Sequence, residues 1–295
     1  MNPAPPAVTI GVPVYNGERH LRQALDALLA QTFTDVEIIV SDNASTDSTP
    51  AIIAEYAARD RRIRVLRQSH NIGAMRNWNV LAHAARGRYF KWAPANDFCS
   101  PNLIEDCVAL LEREPAAVLC YGRTRLIDDE GLPIDGEVLD IEIDQPRPSD
   151  RYHQLVLALR LNNPIAGVIR TGALLHTGLV RTYPGGDIPM MLELALAGAF
   201  RIAPGATAFR RMGRGFSGNL ARGDLQHLID PQRRSGFRLT RLRSRGDSIA
   251  GIARARISAA EKLRALTFAA RHVYWELAKF AHQATAMIFA GYSIC

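Results

Sequence analysis

The stretch Val8–Val14, VTIGVPV, followed at once by Tyr15-Asn16-Gly17, decides the fold. Its residues are dominated by apolar and β-branched types with no polar alternation, which describes a strand covered on both faces. Such strands belong to parallel sheets flanked by helices. The Tyr-Asn-Gly that closes it is turn chemistry. Working outward, Leu21, Ala24, Leu25, Leu28 and Leu29 recur at helical spacing, and Val36–Val40 (VEIIV) is a second strand. It ends in SDNASTDST, where Ser45, Thr46 and Asp47 are N-cap candidates for a helix running to about Ala58. Arg64-Val65-Leu66 reads as a third strand, Ala74–Ala85 as a helix, and Tyr89–Ala93 as a fourth strand.

Strand and helix alternating at this spacing predict an α/β fold with an open, mostly parallel sheet and right-handed crossovers. Ligands of such sheets gather beyond the carboxyl ends of the strands. The polar residues fall there: Asn16 and Glu18 after the first strand, Asp42 and Asn43 after the second, Asn96 and Asp97 after the fourth.

Beyond Pro101 the order loosens. Leu103–Leu111 predicts a helix, Val118–Ile127 a strand turned at Asp128-Asp129-Glu130-Gly131, and Pro133–Ser149 an exposed loop. A helix is expected over His153–Leu161, a short strand over Ile165–Ile169, and an apolar helix over Ile188–Ala197 introduced by Gly185-Gly186-Asp187. Past about Asn219 the chain reads as helical and arginine-rich. Boundaries near Pro101 and Gly218 divide it into 1–100, 101–218 and a basic extension 219–295.

The formal charge of +7 is concentrated in that extension, where 231–271 holds eleven Lys/Arg against Asp247 and Glu261. An anionic membrane surface suits it, each nearby basic residue contributing roughly 1 kcal/mol. A merely solubilising basic face is the alternative. No nucleic-acid motif accompanies the charge, so no nucleic-acid partner is expected. Residues 280–295 are apolar, but a membrane span needs roughly 20 residues and His282 interrupts this run. The start MNPAPPAVTIGVPV has no basic segment ahead of its strand and is not read as a signal peptide. The four cysteines show no metal or paired spacing, and reduced thiols in a cytoplasmic protein, peripheral at most to the membrane, are expected. With no G-x-G-x-x-G after the first strand and no G-K-[ST], dinucleotide and P-loop chemistry are excluded.

The ordered set VTIGVPVYNG, Gln31-Thr32-Phe33 before VEIIVSDNASTDST, NIGAMRN, and GRYFKWAPANDF with Pro101 resembles the family-2 glycosyltransferases, which have the GT-A fold. Each piece alone is weak, but together they cover about the first 110 residues in the family's order. The resemblance implies a nucleotide-sugar donor, a saccharide or lipid-linked acceptor, and a role in cell-surface polysaccharide synthesis. It implies that 1–100 binds the donor and 101–218 the acceptor. Pro13, Tyr15 and Glu18 match positions framing the donor's base and ribose. Asp42 matches the carboxylate facing the pyrimidine ring, and Arg76 the basic residue of that pocket. Asp42 would equally serve as a turn residue, and Arg76 as a surface arginine.

The family's Asp-x-Asp frame reads here Pro94-Ala95-Asn96, followed by Asp97. A divalent cation (Mn or Mg) bridging the donor phosphates would thus have Asn96 and Asp97 as ligands, a weaker set than two carboxylates. The pair would equally shape a turn before Pro101. Asp187 matches the carboxylate that serves as base for the acceptor hydroxyl in inverting transfer, and it would also be a natural helix N-cap. Glu193 lies off its face. Arg210 and Arg211 are expected near the diphosphate, although Gly213 stands where many relatives have a histidine. The altered motif and Gly213 keep a second reading open: a catalytically degenerate nucleotide-binding or interaction protein of the same fold. The retained Asp42, Asp97 and Asp187 argue against it.

Overall fold

All seven residues of β1 (Val8–Val14) are buried, because helices cover both of its faces. On one side Val8, Ile10, Val12 and Val14 pack with α1 (Leu21–Leu29), α2 (Thr49–Arg59) and α4 (Leu103–Arg113). On the other, α3 (Ala74–Ala84) lies so close that a Cβ on Gly11 would stand 2.9 Å from Leu81 Cβ. Glycine in the middle of the deciding strand is therefore a helix-packing requirement. The computed structural model describes residues 4–136, 138–213, 222–232 and 240–274.

The parallel half of the sheet is β1 with β2 (Val36–Asp42), β3 (Ile63–Arg67) and β4 (Tyr89–Trp92), as the periodicity predicts. The second half is built from β5 (Phe98–Cys99), β6 (Ala117–Ile127), β7 (Val168–Arg170) and β8 (Ala199–Arg211). The eight strands run in the order β3-β2-β1-β4-β7-β6-β8-β5. β7 is antiparallel to both β4 and β6, and β5 is antiparallel to β8, so the sheet is mixed with four parallel pairings of seven. α5 (Pro148–Ala158), α6 (Thr171–Leu175) and α7 (Ile188–Ala197) cover the face opposite α4.

Some expectations shift. The first of these helices begins at Pro148 rather than His153, proline being suited to a first turn. The strand expected over Ile165–Ile169 is a 3-10 turn at Pro164–Ala166 followed by β7, since Pro164 has no N–H for a ladder. The N-cap of α2 is Ser48, while Asp47 accepts the Thr49 N–H from one residue further out. The remaining cap candidates bind the neighbouring loop instead. β5, two residues long, and α6 are too short to leave a periodic signal.

The basic extension is helical where described, with α8 (Arg222–Ile229), α9 (Thr240–Arg254) and a helix over 259–274. It is docked rather than trailing. Arg254 pairs with the buried Glu193 of α7 at 2.7 Å, and Tyr183 Oη donates to Asp247 at 2.7 Å. Gly251 meets that pair so closely that a Cβ there would lie 2.5 Å from Glu193 Cγ. Among the described residues no helix is long and apolar enough to cross a membrane. The expectation for 280–295 lies outside the described residues, as does Cys295. Cys99, Cys107 and Cys120 are free thiols and buried.

Candidate active site

The loops that leave β1 and β2 are stapled to each other. Asn16 and Gly17 donate their N–H groups to Ser45 Oγ (2.9 Å) and Thr49 Oγ1 (2.8 Å). In return Thr46 and Ser48 donate theirs to Asn16 Oδ1 and Glu18 Oε2, each at 2.9 Å. Asn16 and Ala44 take positive φ to make these bonds, 48° and 61°. The polar string SDNASTDST is thus a scaffold for the strand ends, and Glu18 is part of it.

Inside this frame Asp42 is 1% exposed. Its Oδ1 accepts the Ser45 N–H at 2.9 Å, whereas Oδ2 lies 3.6 Å from Arg67 Nε and has no hydrogen-bond partner. A buried carboxylate oxygen left so is a place where a ligand N–H could bind. Asp42 is not itself among the residues lining the cleft, but its neighbour Asn43 is.

The cleft, about 630 Å³, opens beyond the carboxyl ends of β1, β2 and β4. Of the expected site residues, Pro13, Tyr15, Asn96, Asp97 and Asp187 line it together. Glu18, Asp42 and Arg76 do not. Arg76 is turned to Asp230 at 3.1 Å, just past α8, whose Leu225, Leu228 and Ile229 form the cleft's outer wall. α8 sits tightly on Gly73 (φ 86°), where a Cβ would stand 2.2 Å from the Ile229 carbonyl oxygen.

The far wall comes from β8. The β5–β8 pairing stacks Phe98 on Phe209 at 4.6 Å and brings Asp97 against the end of β8, where its Oδ1 accepts the Arg211 N–H at 2.8 Å. Burial pushes the Asp97 carboxyl up to about 6, against that hydrogen bond and the positive charges of Arg210, Lys91 and Arg211. Strand alternation separates the two arginines. Arg211 is 3% exposed, its guanidinium donating to the carbonyls of Asn96 and Asp128 and to Gln23, so it braces the wall. Arg210 donates to Asn163 Oδ1 at 2.6 Å and lies within electrostatic reach of both Asp97 and Asp187. Burial lowers its pKa while those two carboxylates raise it.

Asp187 opens α7 without capping it, since its side chain accepts no helix N–H. Its Oδ2 accepts instead from Asn162 Nδ2 at 2.6 Å. Consecutive amides, Asn162 and Asn163, therefore hold the cleft's carboxylate and its arginine. Sequence reasoning passed over both, although two amides before a proline were a visible cue. It also passed over Lys91, whose signal was a charge inside the buried strand YFKW. At Gly213 the space is taken, because a Cβ would stand 1.6 Å from Asp129 Oδ1.

The donor set suits a divalent ion poorly. Pro94 replaces the first carboxylate, Asn96 offers a neutral amide, and Asp97 faces three positive charges. Among the described residues no three His, Cys, Asp or Glu side chains cluster as metal ligands.

A mixed sheet with a cleft at the carboxyl ends of its parallel half, walled by β8 and the loop that opens α7, is a GT-A fold. The chain belongs to Glycosyl transferase family 2, which matches residues 9–180. EpsH of Bacillus subtilis, named for glycosyl transfer, is 33% identical over 143 residues, 48% of this chain and 41% of that protein. Chondroitin synthase of Escherichia coli is 32% identical over 126 residues, 43% of this chain and 18% of that one. The chain thus spans well under half the length of these relatives. S. aureus TarS, solved with UDP, shares the fold at a TM-score of 0.61 and 17% identity, over 90% of this chain and 71% of that one. TarS has also been solved with UDP-GlcNAc, at a TM-score of 0.60.

Proposed function

We propose that this chain is an inverting glycosyltransferase that moves a sugar from a nucleotide-sugar to a saccharide or lipid-linked acceptor, with cell-surface polysaccharide as its product class. The observation that carries this reading is the meeting of Asp97, Arg210 and Asp187 in the cleft that Pro13, Tyr15 and Asn43 also line. The UDP and UDP-GlcNAc complexes of TarS support a nucleotide-sugar as donor. Pro13, Tyr15, Asn43 and the buried Asp42 form the base and ribose side, framed through Glu18. Arg76 enters that side only if its contact with Asp230 opens.

Asp187 is the base. It takes the proton of the acceptor hydroxyl as the acceptor oxygen bonds to the sugar's anomeric carbon and the diphosphate leaves from the opposite face. Asn162 fixes its carboxylate by the 2.6 Å hydrogen bond. A divalent ion, implied by family resemblance, would have Asn96 and Asp97 to bind it, and no step here depends on it. The exposed Arg241, Arg243, Arg256 and Arg271, interspersed with exposed Leu242 and Leu263, suit an anionic membrane surface at which a lipid-linked acceptor would be met.

The test is a panel of UDP-, GDP- and dTDP-sugars assayed for nucleoside diphosphate release. Turnover of one donor supports the reading. Binding without turnover under any acceptor would favour the degenerate alternative, for which the altered Asp-x-Asp frame is the motive.

A further inference from the structure

Lys91 is 3% exposed, in the wall of the cleft. Its Nζ donates to the carbonyl oxygens of Ala166 and, at 3.4 Å, Trp92. Among the described residues no carboxylate lies within ion-pair distance of it, although Asp97 feels its charge. An ammonium in such a place is costly to bury unless an anion completes its surroundings. Arg210, also in the cleft wall, is fixed by Asn163; burial lowers its pKa, and the charges of Asp97 and Asp187 oppose that. The loop after β4 carries Pro94 and Asn96 where the family's carboxylates would hold a metal.

We propose that Lys91 and Arg210 together neutralise the donor's diphosphate, so that donor binding and sugar transfer proceed without a divalent cation. The inference rests on the reading of this cleft as the donor site. In the transfer the bond from the anomeric carbon to the phosphate oxygen breaks, and its electron pair stays on that oxygen. The acceptor oxygen forms the new bond, and its proton passes to Asp187. The nucleoside diphosphate leaves with one more negative charge than it had in the donor, and fixed cations meet that charge without reorganising. A divalent ion at Asp97 would instead sit against both of them. Asp97 lies within electrostatic reach of both cations.

The experiment is calorimetric titration of UDP, GDP and dTDP, each beside its own nucleoside, in EDTA and in manganese. It uses the full chain and the variants Lys91→Met and Arg210→Gln. The expected result is a diphosphate affinity that agrees within about twofold between EDTA and manganese. Each variant should lose about tenfold or more for the diphosphate and little for the nucleoside, the size of a lost charge-assisted hydrogen bond. Should Lys91→Met fail to fold, as a melting curve would reveal, Arg210→Gln makes the same comparison. A double variant, Pro94→Asp with Asn96→Asp, should gain manganese-dependent binding. The proposal is overturned if the wild-type protein binds diphosphate only with manganese, or if the variants weaken nucleoside and diphosphate equally. If neither diphosphate nor nucleoside binds at all, the donor-site reading fails first and this proposal falls with it.

Discussion

The Arg211 N–H donates to Asp97 Oδ1 at 2.8 Å, so the last residue of β8 is tied to the loop that leaves β4. Together with the Arg211 Nε bond to the Asn96 carbonyl, it ties the sheet's two halves at the cleft. An amide oxygen can accept it as well as a carboxylate. Asp97→Asn should therefore keep the fold, shifting the melting temperature by only a few degrees, about 1 kcal/mol for a domain of this size. It removes the charge that faces Lys91 and Arg210. Titration with UDP in EDTA should show affinity equal to or above that of the wild-type protein. A loss of about tenfold or more seen in manganese but not in EDTA would make Asp97 a metal ligand after all.

Asn162 bonds to Asp187 at 2.6 Å, and its own Oδ1 is buried without a partner. Truncation at Asn162→Ala removes one bond to a charged group and relieves one orphaned oxygen, so stability should move little. Steady-state kinetics should show kcat down by about tenfold to a hundredfold with the donor KM within a few-fold, because a misplaced base slows the chemical step alone. A change confined to KM would detach Asn162 from the base.

Glu37 accepts from Thr9 Oγ1 at 2.7 Å and pairs with Arg86. Burial by itself raises its pKa, but the bonds from Arg86 and Thr9 prevail and hold it below the ordinary 4.5. A depressed carboxylate stabilises the fold above its unfolded pKa, and that stability is lost as pH falls through the folded value. Glu37→Gln should cost about 1–3 kcal/mol at neutral pH. It should also flatten the loss of stability below pH ~4.5, as read by urea melts across pH. Parallel acid limbs for the two proteins would contradict the assignment.

Deleting the basic extension would expose the α7 surface that α9 covers and cut the Glu193–Arg254 pair, so truncation tests folding rather than membrane affinity. The clean variant is Arg241→Ala with Arg243→Ala, both exposed. Vesicle affinity, read by cosedimentation with anionic phosphatidylserine vesicles at low salt, should fall by about thirtyfold, at roughly 1 kcal/mol for each charge. The melting temperature should stay put. Unchanged cosedimentation would remove the membrane from the account.

The parallel half was legible because continuous apolar strands and 3.6-residue helix periods are local signals. Val8–Val14 and Leu21–Leu29 announce themselves. β5 was not, since two residues carry no period and their place is set by pairing with Phe209 and Ala208. The same holds for the site. Asp97 and Asp187 stood out as carboxylates after recognisable elements. Which of Arg210 and Arg211 enters the cleft depended on the register of β8, and the docking of Asn162 and Lys91 depended on contacts distant in sequence. Arg76 was expected in the donor pocket or on the surface, yet it meets Asp230, 154 residues away.

The central claim is that Asp187 removes the acceptor's proton in a cleft that holds an activated sugar. It is tested most directly by measuring nucleoside diphosphate release and donor affinity side by side for the wild-type protein and Asp187→Asn. The account predicts release lowered by about a hundredfold or more with donor affinity within a few-fold. Release at a near-normal rate from Asp187→Asn would contradict it.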